Sequence, residues 1–123
     1  MVRGVEIVAA VTDAWNRHDL DGVYGRMAED YREYVNGALI RTSRADARRE
    51  DQSALYDVFA DYRRSVDELW GVDDRVVSRF TVFRTMDDGT KLQLAMACIY
   101  GIRDELISEA HLFFDPATGR HPG

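Results

Sequence analysis

Residues 75–102 read RVVSRFTVFRTMDDGTKLQLAMACIYGI, two long strand-like runs (75–86 and 91–102) either side of an Asp-Asp-Gly turn. Both runs are rich in β-branched and aromatic residues, and neither contains a proline, so each predicts a strand. The flanking segments have the same texture. RSVDELWG (64–71) precedes them across Val-Asp-Asp, and ELISEAHLFF (105–114) follows across Arg-Asp. Four consecutive strand-like runs from about Tyr62 onward predict a meander of antiparallel strands.

The N-terminal half reads differently. Val5, Val8, Val11 or Thr12, and Trp15 recur at helical spacing and predict an amphipathic helix from about Gly4 to Arg17. Asp19 is a fair N-cap for a short second helix over Leu20 to Ala28. DYREYVNG alternates and ends in Asn-Gly, which predicts a first strand over Tyr31 to Val35 and a turn. Ser43 with Asp46 three residues on resembles a capping box and opens a third helix over Arg44 to Ala60, burying Leu55, Val58, Phe59 and Tyr62. Helices first and strands after is an α+β pattern. The expected fold is a curved mixed, mainly antiparallel sheet with three N-terminal helices, one domain over 1–115 and a polar tail over 116–123.

At 123 residues, 46% hydrophobic and 31% charged, the composition is that of an ordinary globule with a real core. A net charge of −6 argues against a nucleic-acid footprint. Cys98 is the only cysteine, so an internal disulfide is excluded and a reducing cytoplasm is the expected compartment. MVRGVEIVAAVTDAWN is broken by Glu6 and Asp13 and predicts neither a signal peptide nor a membrane span.

The last strand-like run carries the chemistry. In ISEAHLFFD (107–115), alternation puts Ile107, Glu109, His111, Phe113 and Asp115 on one face and Ser108, Ala110, Leu112 and Phe114 on the other. The second set is small or apolar, an ordinary packing face. The first mixes hydrophobes with an acid and a base suited to moving protons.

The element order and three strings resemble the nuclear transport factor 2-like superfamily and, within it, the SnoaL-like polyketide cyclases. The strings are AWNRHDLDGVYGRMAEDY (14–31), DDRVVSRFTV (73–82) and IYGIRDELISEAHLFFD (99–115). The resemblance covers about residues 5–115. It implies a cone: a bent mixed sheet, three helices closing it, an apolar pocket between, and a homodimer. Two better-understood relatives share that cone. The acid/base positions of ketosteroid isomerases fall here on Val11, on Val35 or its neighbour Tyr34, and on Cys98, so all three roles are vacant. The Arg-x-Asp pair of limonene epoxide hydrolases falls on Arg79 and Thr81, and their last acid on Leu112, or on His111 after a one-residue slip. Only the arginine survives. In SnoaL-like cyclases the last strands supply a His or Asp beside the substrate, and that resemblance places His111 and Glu109 at the cavity.

The expected catalytic set is therefore His111 as general base, Glu109 as its partner, and Arg79, at a position the family turns inward, as binder of an enolate or carboxylate oxygen. An alternative for Arg79 is a structural salt bridge to Glu109. Tyr100, Trp15, Tyr34, Cys98, Met96, Phe113 and Thr81 are the expected pocket walls. Cys98 reads equally as a small core hydrophobe, and His18 as structural. No nucleophile elbow, Gly-rich phosphate loop or zinc spacing appears, so neither metal nor cofactor is expected.

The expected function is cofactor-free isomerase or lyase chemistry of the cyclase type on a polyketide-like or polycyclic carbonyl compound. A non-catalytic ligand-binding or dimerisation module is the alternative, and an epoxide hydrolase with re-sited acids a further one. The expected homodimer forms through the outer sheet face, where Val76, Phe80 and Val82 are expected to lie.

Overall fold

A computed structural model describes residues 2–57, 60–115 and 120–121. The chain runs α1 (Val2–Asn16), α2 (Leu20–Tyr24), β1 (Met27–Val35), β2 (Ala38–Arg41), α3 (Arg44–Asp51), a π-helical turn (Gln52–Asp57), then β3 (Arg63–Val72), β4 (Arg75–Thr85), β5 (Lys91–Arg103), β6 (Leu106–Phe113) and a two-residue β7 (Arg120–His121). The strands form an open mixed sheet in the order β2-β1-β6-β5-β4-β3, with β7 pairing β5. Neighbours are antiparallel except β1 and β6, which run parallel. This is the α+β architecture expected of the cone.

Helix α1 starts two residues before its expected limit and ends one residue early. The second helix is much shorter than its pattern suggests. Asp19 caps it as expected, accepting from the Gly22 N–H at 3.0 Å, but the helix stops at Tyr24 and β1 begins at Met27. Met27, Ala28 and Tyr31 are buried there against the core, and that burial overrides the helix propensity of Met, Ala and Glu. The Asn36-Gly37 turn has positive φ at both residues, as a tight hairpin turn requires. It leads into β2, a strand missing from the sequence reading. Ser43 caps α3, accepting from the Asp46 N–H at 3.2 Å. The α-helical pattern then ends at Asp51 and continues as the π-helical turn. Of the residues expected to be buried by that helix, Tyr62 is buried at the entry to β3; the side chains of Leu55, Val58 and Phe59 lie outside the described residues. The expected polar tail carries the short β7.

One expectation about the sheet is corrected. Val76, Phe80 and Val82 face inward and belong to the core. Both faces of β4 carry apolar residues, so parity alone leaves the choice open. Helix α1 settles it: a Cβ at Gly4 would sit 2.9 Å from Val76 Cγ2, so backbone and sheet touch closely on that side. Trp15, Val11, Val8 and Ile7 of α1 fill the space above it.

Candidate functional site

The inner face of the sheet and the underside of α1 enclose a small cavity. Its lining includes Trp15 and Val11 of α1, Tyr31 and Glu33 of β1, Arg64 of β3, Cys98 and Tyr100 of β5, and Ala110 and Leu112 of β6. The cavity measures about 20 Å³, room for about one water molecule. Large side chains fill the rest of the cone.

Glu33 is the one acid on this wall. Strand alternation puts it on the same face as Tyr31, and its side chain is 13% exposed. The Tyr31 hydroxyl donates to Glu33 Oε1 at 2.7 Å. Arg41 Nη1, on β2, lies 3.2 Å from Glu33 Oε2 and 2.8 Å from Asp51 Oδ1, while Arg41 Nε donates to Glu50 at 2.9 Å. Asp51, the buried last residue of α3, also accepts from the Tyr24 hydroxyl of α2. One guanidinium thus ties β1, β2 and α3 together, with Tyr24 adding α2.

Burial pushes the Glu33 carboxyl above the ordinary glutamate range, and the nearby Asp51 charge adds to this. Arg41 and the Tyr31 hydroxyl pull the other way and offset it in part. Burial also holds the Tyr31 and Tyr100 phenols protonated well above their usual range, and pushes the Cys98 thiol up to about 12. Among these neutral groups lies a cation. Arg64 donates from Nε to the Tyr62 hydroxyl at 2.8 Å and sits 4.3 Å from the Trp15 ring centre. Burial works against its charge, and the Tyr62 hydrogen bond and the Asp51 carboxylate are among the groups that hold its pKa above the ordinary arginine value.

The structure divides the expected site residues between two faces. Trp15, Cys98 and Tyr100 line the cavity. Met96 also points inward, opposite Phe80 and packed on the core, but away from the cavity lining. The expected catalytic trio lies on the other side of the sheet. In β6, Ile107 pairs with Ile102 and Glu109 with Gly101, so Ser108 is an extra residue with no partner, its hydroxyl donating to the Gly101 carbonyl at 3.2 Å. That bulge resets the alternation. Ile107, Ala110 and Leu112 face in; Glu109, His111 and Phe113 face out.

His111 stacks on Tyr34, ring centres 4.4 Å apart and 3° from parallel, with Nε2 3.3 Å from Glu109. Glu109 is bound by Arg75, and this pairing holds its carboxyl below the usual glutamate range. Gly101 leaves room for the pair, since a Cβ there would lie 2.7 Å from both Arg75 Nη1 and Glu109 Cγ. Arg79 is exposed between Asp67 at 3.7 Å and Glu68 at 3.5 Å, and Thr81 donates to Asp67 at 3.0 Å. Neither the cavity-facing placement of His111, Glu109, Arg79, Tyr34, Thr81 and Phe113 nor an Arg79–Glu109 salt bridge is found. His18 holds the Tyr62 carbonyl at 2.9 Å.

Glu33 and Arg64 escaped the sequence reading, although DYREYV carries for Glu33 the same kind of signal as the last strand. An acid alternates there with Tyr31 and Val35. Among the described residues, no group of three or more His, Cys, Asp or Glu has the geometry to hold a metal, and no helix is long and apolar enough to cross a membrane.

No curated protein matches the chain in sequence. Many solved structures share its fold. AclR of Streptomyces galilaeus, named as a candidate hydroxylase, superposes with a TM-score of 0.82 at 20% identity, over 94% of this chain and 90% of that one. TerC, co-crystallised with polyporic acid, gives 0.81 at 20% identity over 94% and 93%. IdmH of Streptomyces antibioticus, named as a candidate polyketide cyclase, gives 0.77 at 18% over 94% of each chain. At these identities the likeness establishes the fold alone. A family model described as the SnoaL-like domain matches residues 8–110, most of the chain. The chain belongs to the SnoaL-like domain family.

Proposed function

We propose that this protein is a cofactor-free acid/base enzyme of the cyclase or isomerase type, acting inside the cone on a polyketide-like or polycyclic carbonyl compound, with Glu33 as the proton-transfer group. The observation that carries this reading is the setting of Glu33: an acid on the cavity wall, held through one oxygen by Tyr31 and approached by Arg41 at the other, its pKa raised by burial. A carboxyl whose pKa is raised by burial is better suited than an ordinary one to both removal and return of a proton. With the Tyr31 proton spent on Glu33, the protonated Tyr100 hydroxyl is the phenol donor on the cavity wall for an enolate oxygen formed next to it. The candidate cyclase and hydroxylase among the structural neighbours support a small-molecule reaction in this fold, and the single buried Cys98 suits a cytoplasmic setting.

The test is deuterium exchange from heavy water into the acidic C–H positions of a panel of polycyclic diketones, followed by NMR. Wild type should accelerate exchange in at least one of them, and Glu33→Gln should reduce that acceleration about 10²–10⁴-fold. Equal rates for the two proteins would reject Glu33 as the acid/base.

The outer face supports a second element of the proposal, a homodimer. Cross-strand register lines up Trp70, Val77, Ile99, His111 and Tyr34 in one row across the sheet, beside Phe113. Trp70, Phe113 and Ile99 are 49%, 43% and 38% exposed. Such a continuous apolar and aromatic row is a surface that association would cover. Because the cone is nearly filled, this face also supports the alternative of a non-catalytic dimerisation module. Sedimentation of wild type and Ile99→Asp tests the dimer: wild type should sediment as a dimer at micromolar concentration and the variant as a monomer.

A further inference from the structure

We propose that the cone takes a planar organic anion, an ionised hydroxyquinone, enol or phenolate ring, with the Arg64 guanidinium as its counter-ion. This rests on the reading of the cone as a small-molecule site and adds the charge and shape of what enters.

Two arginines of the interior, Arg41 and Arg64, differ sharply in their partners. Arg41 is saturated by Glu33, Glu50 and Asp51. Arg64 lies in ion-pair contact with no carboxylate among the described residues. Its one side-chain hydrogen bond there is the Nε donation to Tyr62, and its remaining contacts are ring faces: Trp15 at 4.3 Å, Phe80 at 5.0 Å and Tyr62 at 5.7 Å. The two terminal nitrogens therefore keep their N–H donors unspent by the described residues, on a side chain that lines the cavity. A charged guanidinium seated among aromatic rings, with its fork unused, is built to accept a pair of coplanar oxygens. An aromatic surround favours a flat partner with delocalised charge over a compact, strongly hydrated anion.

The free space of the cone fits about one water, so a ring enters only as wall side chains move aside, and Arg64 is held on that wall by one side-chain hydrogen bond and by ring faces. Glu33 is compatible with an anionic neighbour because its two oxygens are already engaged by the Tyr31 hydroxyl and the Arg41 guanidinium.

The experiment is calorimetric titration with lawsone, an acidic hydroxynaphthoquinone ionised at neutral pH, and with its uncharged methyl ether. The two differ little in size and mainly in charge. Wild type should bind lawsone at least about tenfold more tightly than the ether, the scale of one charge-assisted hydrogen bond. Arg64→Met should erase that preference while leaving binding of the ether unchanged or tighter. Arg64→Lys, which keeps the charge but loses the fork, should retain part of the preference, and it serves as the decisive variant if Arg64→Met does not fold. Wild type binding both probes equally, or both variants keeping the full preference, overturns the anion assignment and leaves the acid/base reading of Glu33 standing. Wild type binding neither probe overturns the assignment together with the cone as a site for such rings.

Discussion

Tyr31 and Glu33, two positions apart on one strand and on one face of it, are joined by a 2.7 Å hydrogen bond from phenol to carboxylate at the edge of the cavity. The bond holds the acid in one orientation without cancelling the effect of burial. The folded protein therefore binds a proton at Glu33 more readily than the unfolded chain does.

That gives a signed pH dependence. A carboxyl whose folded pKa is raised contributes stability in full below the ordinary glutamate range and loses it as pH rises through the folded value. Glu33→Gln, permanently neutral, should melt at a higher temperature than wild type at pH 8, and the gap should close as pH falls toward 4. Thermal melts across that range check it; a variant less stable than wild type at pH 8 contradicts it.

Asp51 and Glu50 are adjacent and both reach Arg41, but their settings differ. Asp51 is buried and also accepts from Tyr24, whereas the Glu50 side chain is half exposed. Asp51→Ala removes one of three carboxylates from Arg41 and takes the acceptor from the buried Tyr24 phenol, and should cost about 1–3 kcal/mol. Glu50→Ala should cost about 0–1 kcal/mol, as exposed pairs do. Urea unfolding of the two variants measures the contrast.

His111→Ala removes a stacked ring from the outer face, a contact of about 0.5–1.5 kcal/mol. The isolated fold should survive, and diketone proton exchange should stay within about twofold of wild type, well short of the loss a positioned acid/base would cause. A fall of about a hundredfold would return the chemistry to the outer face and remove it from Glu33.

Cys98 is fully buried, and burial pushes its thiol up to about 12. Thiolate is the reactive form, so the native protein at pH 8 should resist alkylation. Labelling should follow the global unfolding rate and accelerate in parallel with it across a urea series. Rapid labelling without denaturant would mean that the cone opens far more often than its packing implies.

The long strands were legible because β4 and β5 consist of runs whose residue types fit a pleated, half-buried surface and little else. The caps Asp19 and Ser43 were legible because a side-chain oxygen before a helix has a specific job. Strand β2 was not: Ala38–Arg41 is four residues long, and its three apolar side chains are exposed, so hydrophobic pattern marks nothing there. The site was legible in kind but not in place. Alternation assigned Glu109 and His111 to one face correctly, yet the direction of that face depended on Ser108, a residue with no feature that announces a bulge. Arg79 misled the reading of β4 because its expected inward position came from the resemblance rather than from its neighbours. Arg75, four residues earlier, holds Glu109 instead. Glu33 carries as much signal as His111, but the Asn-Gly turn that follows marks its strand more strongly than the alternation of its faces does.

The unpaired Ser108 also bears on heredity. Deleting its codon would close the bulge and leave every other pair with β5 in register, so Glu109, His111 and Phe113 would stay outside and Ala110 and Leu112 inside. A slip of β6 by one residue, which seats Ser108 opposite Gly101, is what would exchange the two sets. Lineages that share this scaffold can therefore lose that one triplet and keep the same interior side chains.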